Sequence, residues 1–240
     1  MDTIRLNFPA YSVTVYHRPG PGKKLVFLHG GGLDSALLSW KEVIAAMDAQ
    51  YDIYAPDLPG YGQSDRPDIT YSMPVYVDFL RDLLQQLSIP KATLIGLSLG
   101  GGIGLGYAMN FPQAVEQLVL VDAFGISRSL RFYGLSRWFV NSSLNRKSYD
   151  WMAKKQARVR WLVAASLIGD KAKITDELVG ELVQLIQEPD CGKAFESLQR
   201  YEVGKGGLTT DLYYRLGELS MPVLIVNGEK DASVPLKDAV

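Results

Sequence analysis

Apolar residues in this chain fall into short unbroken runs, at 25–28, 53–55, 93–97, 118–121 and, much later, 223–226. A strand covered on both faces reads as a continuous apolar run, because neither face meets water. The segments between the first four runs, at 40–50, 73–87 and 101–111, carry helical spacing instead. Strand and helix in alternation predict a parallel sheet with crossover helices. Ahead of this series, 5–8 and 12–17 are short and rich in β-formers, and Pro19-Gly20-Pro21-Gly22 separates them from the first of the apolar runs. They predict an antiparallel pair at a sheet edge.

After Val121 the rhythm stops for about ninety residues. The interval 125–217 is helical in character, most clearly at 151–168 and 176–187, and it ends in a Gly204-Lys205-Gly206-Gly207 stretch expected to be flexible. It reads as a helical cap inserted into an α/β core. The expected domains are therefore 1–124, the first part of the core, 125–217, the cap, and 218–240, the second part of the core.

Composition narrows the partners. With 47% of its 240 residues hydrophobic and 21% charged, the chain can bury a sizeable core without disulfides or metal. Twenty-five Lys and Arg against 26 Asp and Glu leave a net charge of -1, which gives no bulk field to recruit nucleic acid or an anionic membrane. The cluster Lys154, Lys155, Arg158 and Arg160 then reads as a solvated helix face. Cys191 is the only cysteine, so an internal disulfide and a multi-cysteine metal site are excluded and a reducing compartment is expected. No apolar core succeeds a basic leader at the N-terminus, and the longest apolar stretch, 161–168, is far below the roughly 20 residues of a membrane span. A cytoplasmic address is expected.

The candidate chemistry lies at Gly96-Leu97-Ser98-Leu99-Gly100, where a predicted strand ends and a helix begins. In such a turn the serine is held strained with its hydroxyl above the sheet, and the flanking glycines avoid collisions with neighbouring backbone. Ser98 is a candidate nucleophile, and the amide of Leu99, at the helix N-terminus, is a candidate oxyanion donor. A dinucleotide site is disfavoured because Leu105 stands where G-x-G-x-x-G requires its third glycine, and no Walker pattern occurs. His29-Gly30-Gly31-Gly32 comes directly after another strand, and its glycines allow amides to point outward. His29 itself reads as a histidine that fixes this loop through backbone bonds, and His17 as an exposed residue on an edge strand. Asp34 and Asp57 read as turn residues.

Four motifs in order resemble the α/β-hydrolase superfamily, in its capped serine-hydrolase branch. They are the His29-Gly30 turn, the loop 57–64, the elbow at Gly96 to Gly100, and Pro222-Val223-Leu224-Ile225-Val226-Asn227-Gly228-Glu229-Lys230-Asp231. The resemblance implies an α/β-hydrolase fold with a mostly parallel sheet, Ser98 as nucleophile, Leu99 and Gly31 as oxyanion donors, and Asp231 as the triad acid. Asp122, after the preceding sheet strand, competes for the acid role. Family order places the histidine base after the acid, but only His17 and His29 occur, both far upstream. The run 234–240 begins a helical pattern without a C-terminal cap, so the expectation is a chain cut before the last strand, the histidine loop and the closing helix.

The resemblance implies no metal and no organic cofactor. Aromatics in the cap (Phe132, Tyr133, Trp138, Phe139, Trp151, Trp161) suggest a mostly apolar pocket and favour a small acyl substrate such as a carboxylic ester. Hydrolysis of a carbon–carbon bond in a diketone-type acid fits the same machinery. Epoxide and haloalkane hydrolysis are disfavoured, since those relatives carry aspartate at the elbow. The contrasting class is a small-molecule binding protein or receptor of the same fold.

Overall fold

A computed structural model describes residues 1–126, 132–231 and 234 of the chain. Seven strands form one sheet: β1 (Asp2–Asn7), β2 (Ser12–Arg18), β3 (Lys24–Leu28), β4 (Asp52–Pro56), β5 (Ala92–Leu97), β6 (Val115–Val121) and β7 (Val223–Val226). Their spatial order is β1-β2-β4-β3-β5-β6-β7. The β1–β2 and β2–β4 pairs are antiparallel, and the other four are parallel.

Both faces of the central strands are covered, as their unbroken apolar runs require. Along β3, Leu25 and Phe27 join α1 (Ala36–Ala46) in one core with Trp40 and Ile44, while Val26 and Leu28 face a second core. That second core takes in α2 (Met73–Gln86) and α3 (Leu99–Asn110). The first two helices start at serine caps: Ser35 accepts from Leu38 N at 3.2 Å, and Ser72 from Val75 N at 3.4 Å with a proline in the first turn. Helix α1 begins four residues before the predicted 40, because Ser35 and the buried Ala36 start it ahead of the apolar spacing.

Between β6 and β7 lie α4 (Tyr133–Val140), α5 (Ser143–Ala153), α6 (Gln156–Ser166), α7 (Asp176–Gln187) and α8 (Lys193–Glu202). Tyr149, Met152, Val159, Val163, Val179, Leu182 and Ile186 give α5, α6 and α7 a core of their own. The predicted helix 151–168 is two helices. Lys155 is extended at φ -150°, ψ 121°, and Arg158 donates to the carbonyl of Trp151 at 2.7 Å, satisfying an end group that α5 leaves without a partner. The glycine stretch expected to be flexible closes a tight turn, with Gly204 N donating to Gly207 O at 3.1 Å beside a Val203–Leu208 bridge.

Two further expectations are corrected. His17 lies on β2, which is flanked by β1 and β4, and its Nε2 sits 2.7 Å from Asp52 Oδ1 with the ring stacked on Tyr54, so it is neither exposed nor at the edge. The apolar run of β7 is covered on neither face: Val223, Leu224, Ile225 and Val226 are 38%, 58%, 45% and 47% exposed. Among the described residues this strand pairs only with β6. The helical start expected at 234–240 falls, apart from Val234, outside the described residues.

Candidate active site

Ser98 links the last residue of β5 to the first of α3, and its backbone lies at φ +48°, ψ -111°. A side chain in that region costs on the order of 1–3 kcal/mol and persists only when its surroundings fix it. Here Ser98 N donates to Val121 O at 2.9 Å, and Ser98 O accepts from Gly102 N at 3.0 Å and Phe124 N at 2.9 Å. The flanking glycines are sterically obligatory. A Cβ on Gly96 would come within 2.3 Å of Gly100 O, and one on Gly100 within 2.2 Å of Leu28 O. The half-buried Ser98 therefore stands where the sheet's carboxyl end meets the N-terminus of α3, whose first-turn amides, Leu99 among them, have no intrahelical acceptor.

The loop after β3 lies against this elbow. A Cβ built on Gly30 would be 3.7 Å from Ser98 Cβ, and one on Gly31 3.5 Å from Leu99 Cδ2. Ser98, Leu99 and Gly31 are thus brought together. Two titratable side chains shape the loop, one buried and one partly exposed. His29 is fully buried, with Nδ1 2.7 Å from Gly30 O and Nε2 accepting from Leu58 N at 3.0 Å. Burial lowers its pKa, and both ring nitrogens are engaged with backbone. Asp34 accepts from Gly30 N, Ser35 N and Ser39 Oγ, each at 2.7 Å. Burial raises its carboxyl to about 6 against the lowering effect of those donors. Asp57 accepts from Ala36 N and Gln63 N, each at 2.8 Å, so the aspartates read as turn residues do bind turn amides.

Asp231 stands beyond the carboxyl end of β7, two strands from the one that carries Ser98. Its Oδ1 accepts from Val234 N at 2.9 Å. Asp122, the sequence competitor, comes directly after β6 at φ +44° and accepts from Gly228 N at 2.7 Å, pinning the loop that leads to Asp231. Burial raises the Asp122 carboxyl, and the neighbouring Asp231 charge raises it further. The two acids that sequence reasoning set as alternatives are neighbours, and they line a small pocket of about 170 Å³ with Lys230, Leu167 and Ile168.

The cap aromatics expected to line the substrate pocket do not converge on Ser98. Phe132, Trp138, Trp151 and Trp161 are 67%, 58%, 47% and 63% exposed, and Tyr133 donates its hydroxyl to Gly207 O at 2.8 Å. Short amphipathic helices on a small core of their own leave such residues facing outward. The ring that roofs the loop at Gly31 is Phe195 of α8, since a Cβ on Gly31 would strike its Cε2 at 2.7 Å. Sequence reasoning missed Phe195. The signal available was weak, one of two aromatics, Phe195 and Tyr201, in the amphipathic helix Lys193–Glu202.

Residues 23–240 match the alpha/beta hydrolase fold family, and the chain belongs to it. Among its relatives, an uncharacterized protein of Mycobacterium tuberculosis is 30% identical over 233 residues, 92% of this chain and 65% of that protein. The chain thus spans just under two thirds of that relative's length. A 2-hydroxymuconate semialdehyde hydrolase of a Pseudomonas species is 28% identical, over 95% of this chain and 77% of its own. Among solved structures, a meta-cleavage product hydrolase from Pseudomonas fluorescens IP01 superposes with a TM-score of 0.76 at 25% identity, covering 100% of this chain and 83% of that one.

Proposed function

We propose that the chain is the nucleophile-bearing part of a serine hydrolase that attacks an acyl carbon and forms an acyl-enzyme. The observation that carries this reading is the backbone of Ser98, held at φ +48° between a buried strand and a helix N-terminus. Ser98 Oγ attacks the carbonyl carbon, and the Leu99 and Gly31 amides stabilise the oxyanion. Its proton passes to a histidine that Asp231 orients and returns to the leaving group, after which water releases the acid. His29 is committed to Gly30 and Leu58, and His17 to Asp52. In this reading the imidazole comes from chain outside the 240 residues. Residues 1–124 and 218–240 supply the core and 125–217 the cap, which closes over the loop through Phe195.

Carboxylic esters are the first substrate class. The second reading, hydrolysis of a carbon–carbon bond in a ring-fission acid, is supported by the names of relatives such as the 2-hydroxymuconate semialdehyde hydrolase. The test pairs 4-nitrophenyl acyl esters with a 2-hydroxy-6-oxo-2,4-dienoate, using the chain alone and the chain continued through its next histidine. Turnover and fluorophosphonate labelling that require both Ser98 and the continuation support the hydrolase. Tight ligand binding with no labelling of either form would replace it with a binding protein.

A further inference from the structure

The charge balance of the whole chain conceals a local imbalance. Residues 132–161 hold seven Lys and Arg and a single carboxylate, Asp150. The consecutive, mutually packed helices α4 and α5 and the turn after them expose both apolar and basic side chains. Helix α4 and its cap residue expose Phe132, Leu135 and Trp138 at three-residue spacing, while Val140 is buried. Helix α5 exposes Leu144, Lys147 and Trp151 at three- and four-residue spacing, while Asn145, Tyr149 and Met152 face inward. A shallow pocket of about 370 Å³, lined by Gly134, Arg137, Trp138, Asn141 and Ser142, lies along α4 and the turn into α5. Beyond Trp151 come the exposed Lys154 and Lys155, and the Arg158 guanidinium lies 4.3 Å from the Trp151 ring centre. Arg160 pairs with Asp176, but Arg137, Lys147, Lys154 and Lys155 form no ion pair with a carboxylate among the described residues.

We infer that this face docks on an anionic phospholipid surface. Lysines and arginines would meet acidic headgroups while Phe132, Leu135 and Trp138 enter the boundary with the acyl chains, the combination that lets helices lie in a membrane interface. Charge excludes the same face of a second copy, which would oppose like with like. Nucleic acid would satisfy the lysines and leave the apolar stripe in water. Among the described residues no helix is long and apolar enough to cross a membrane, so the contact is peripheral. The inference stands independently of the catalytic reading, because none of these residues touches Ser98.

The experiment is flotation of the chain with vesicles of phosphatidylcholine and with vesicles containing phosphatidylglycerol at three parts in ten. Binding is expected on the anionic vesicles only, weakening as sodium chloride is raised. Lys154→Gln with Lys155→Gln should lower it on the order of 30-fold, each basic residue near a charged surface being worth roughly fivefold. Leu135→Ser with Trp138→Ser, both solvent-exposed and so without cost to folding, should also lower it, and tryptophan emission should shift to the blue in the parent chain alone. No binding to either vesicle would overturn the inference. Binding that the serine pair leaves intact would also overturn it, pointing to a generic polyanion. Lipid-independent self-association abolished by the serine pair would replace the membrane with a second copy.

Discussion

At the scale of single residues, a strained backbone and a raised carboxyl lie at the elbow and the loop beside it. Ser98 carries a strained backbone that only its side chain justifies, so Ser98→Gly should abolish fluorophosphonate labelling. It should also raise stability by about 1 kcal/mol, since glycine adopts φ +48° freely. Ser98→Ala loses labelling equally but keeps the strain, so only the glycine variant should melt higher. A glycine variant that melts lower would mean that the Ser98 backbone is unstrained. Asp34 has a titration of its own. Its carboxyl is raised to about 6 by burial, so between pH ~4 and 6 the folded chain holds a proton that the unfolded chain has lost. That contribution is greatest below the unfolded pKa and disappears as pH rises through 6. Urea unfolding should therefore show the advantage of wild type over Asp34→Asn shrinking by up to about 2 kcal/mol from pH 4 to 6.5 and flat above it. An advantage that grows with pH would reverse the assignment.

At the scale of elements, α3 shows how much backbone contact the elbow demands. The helix reads Leu99-Gly100-Gly101-Gly102-Ile103-Gly104-Leu105-Gly106, buried throughout, yet its glycines are not equivalent. A Cβ at Gly100 meets the rigid Leu28 and His29 carbonyls, whereas one at Gly104 meets side chains alone, the nearest being Leu118 Cδ1 at 3.3 Å. Gly100→Ala should thus cost more than about 4 kcal/mol or prevent folding, and Gly104→Ala should stay within about 1 kcal/mol of wild type, helped by alanine's helix propensity. Melting temperatures of the pair decide it. The same contrast explains what the sequence reveals. Core strands are legible because burial on both faces leaves unbroken apolar runs, and the elbow because its glycines have one steric purpose. The break at Lys155 is not legible, since it depends on Arg158 reaching back to a carbonyl. Nor is the roof that Phe195 forms over Gly31, because no local pattern reports which ring of a helical segment turns inward.

At the scale of the whole molecule, totals mislead where arrangement decides. A net charge of -1 hides the seven basic residues within 132–161, and the count of aromatics between β6 and β7 hides that Phe132, Trp138, Trp151 and Trp161 face solvent. Topology has its own consequence. Strands β1 to β6 are complete by Val121, but β7, the partner of β6, pairs across an interval running from Leu118 to Val223. Long separations slow pairing, so pulsed hydrogen exchange during refolding should protect amides of β3, β5 and β6 before those of β7. Simultaneous protection would make the sheet a single folding unit. On a ribosome adding about 5–20 residues per second, the outer edge of β6 waits roughly 5–20 s for its neighbour. For that interval a nascent apolar edge is open to chaperones and to other nascent chains alike, so the timing of synthesis becomes part of how this sheet is kept from the wrong partner.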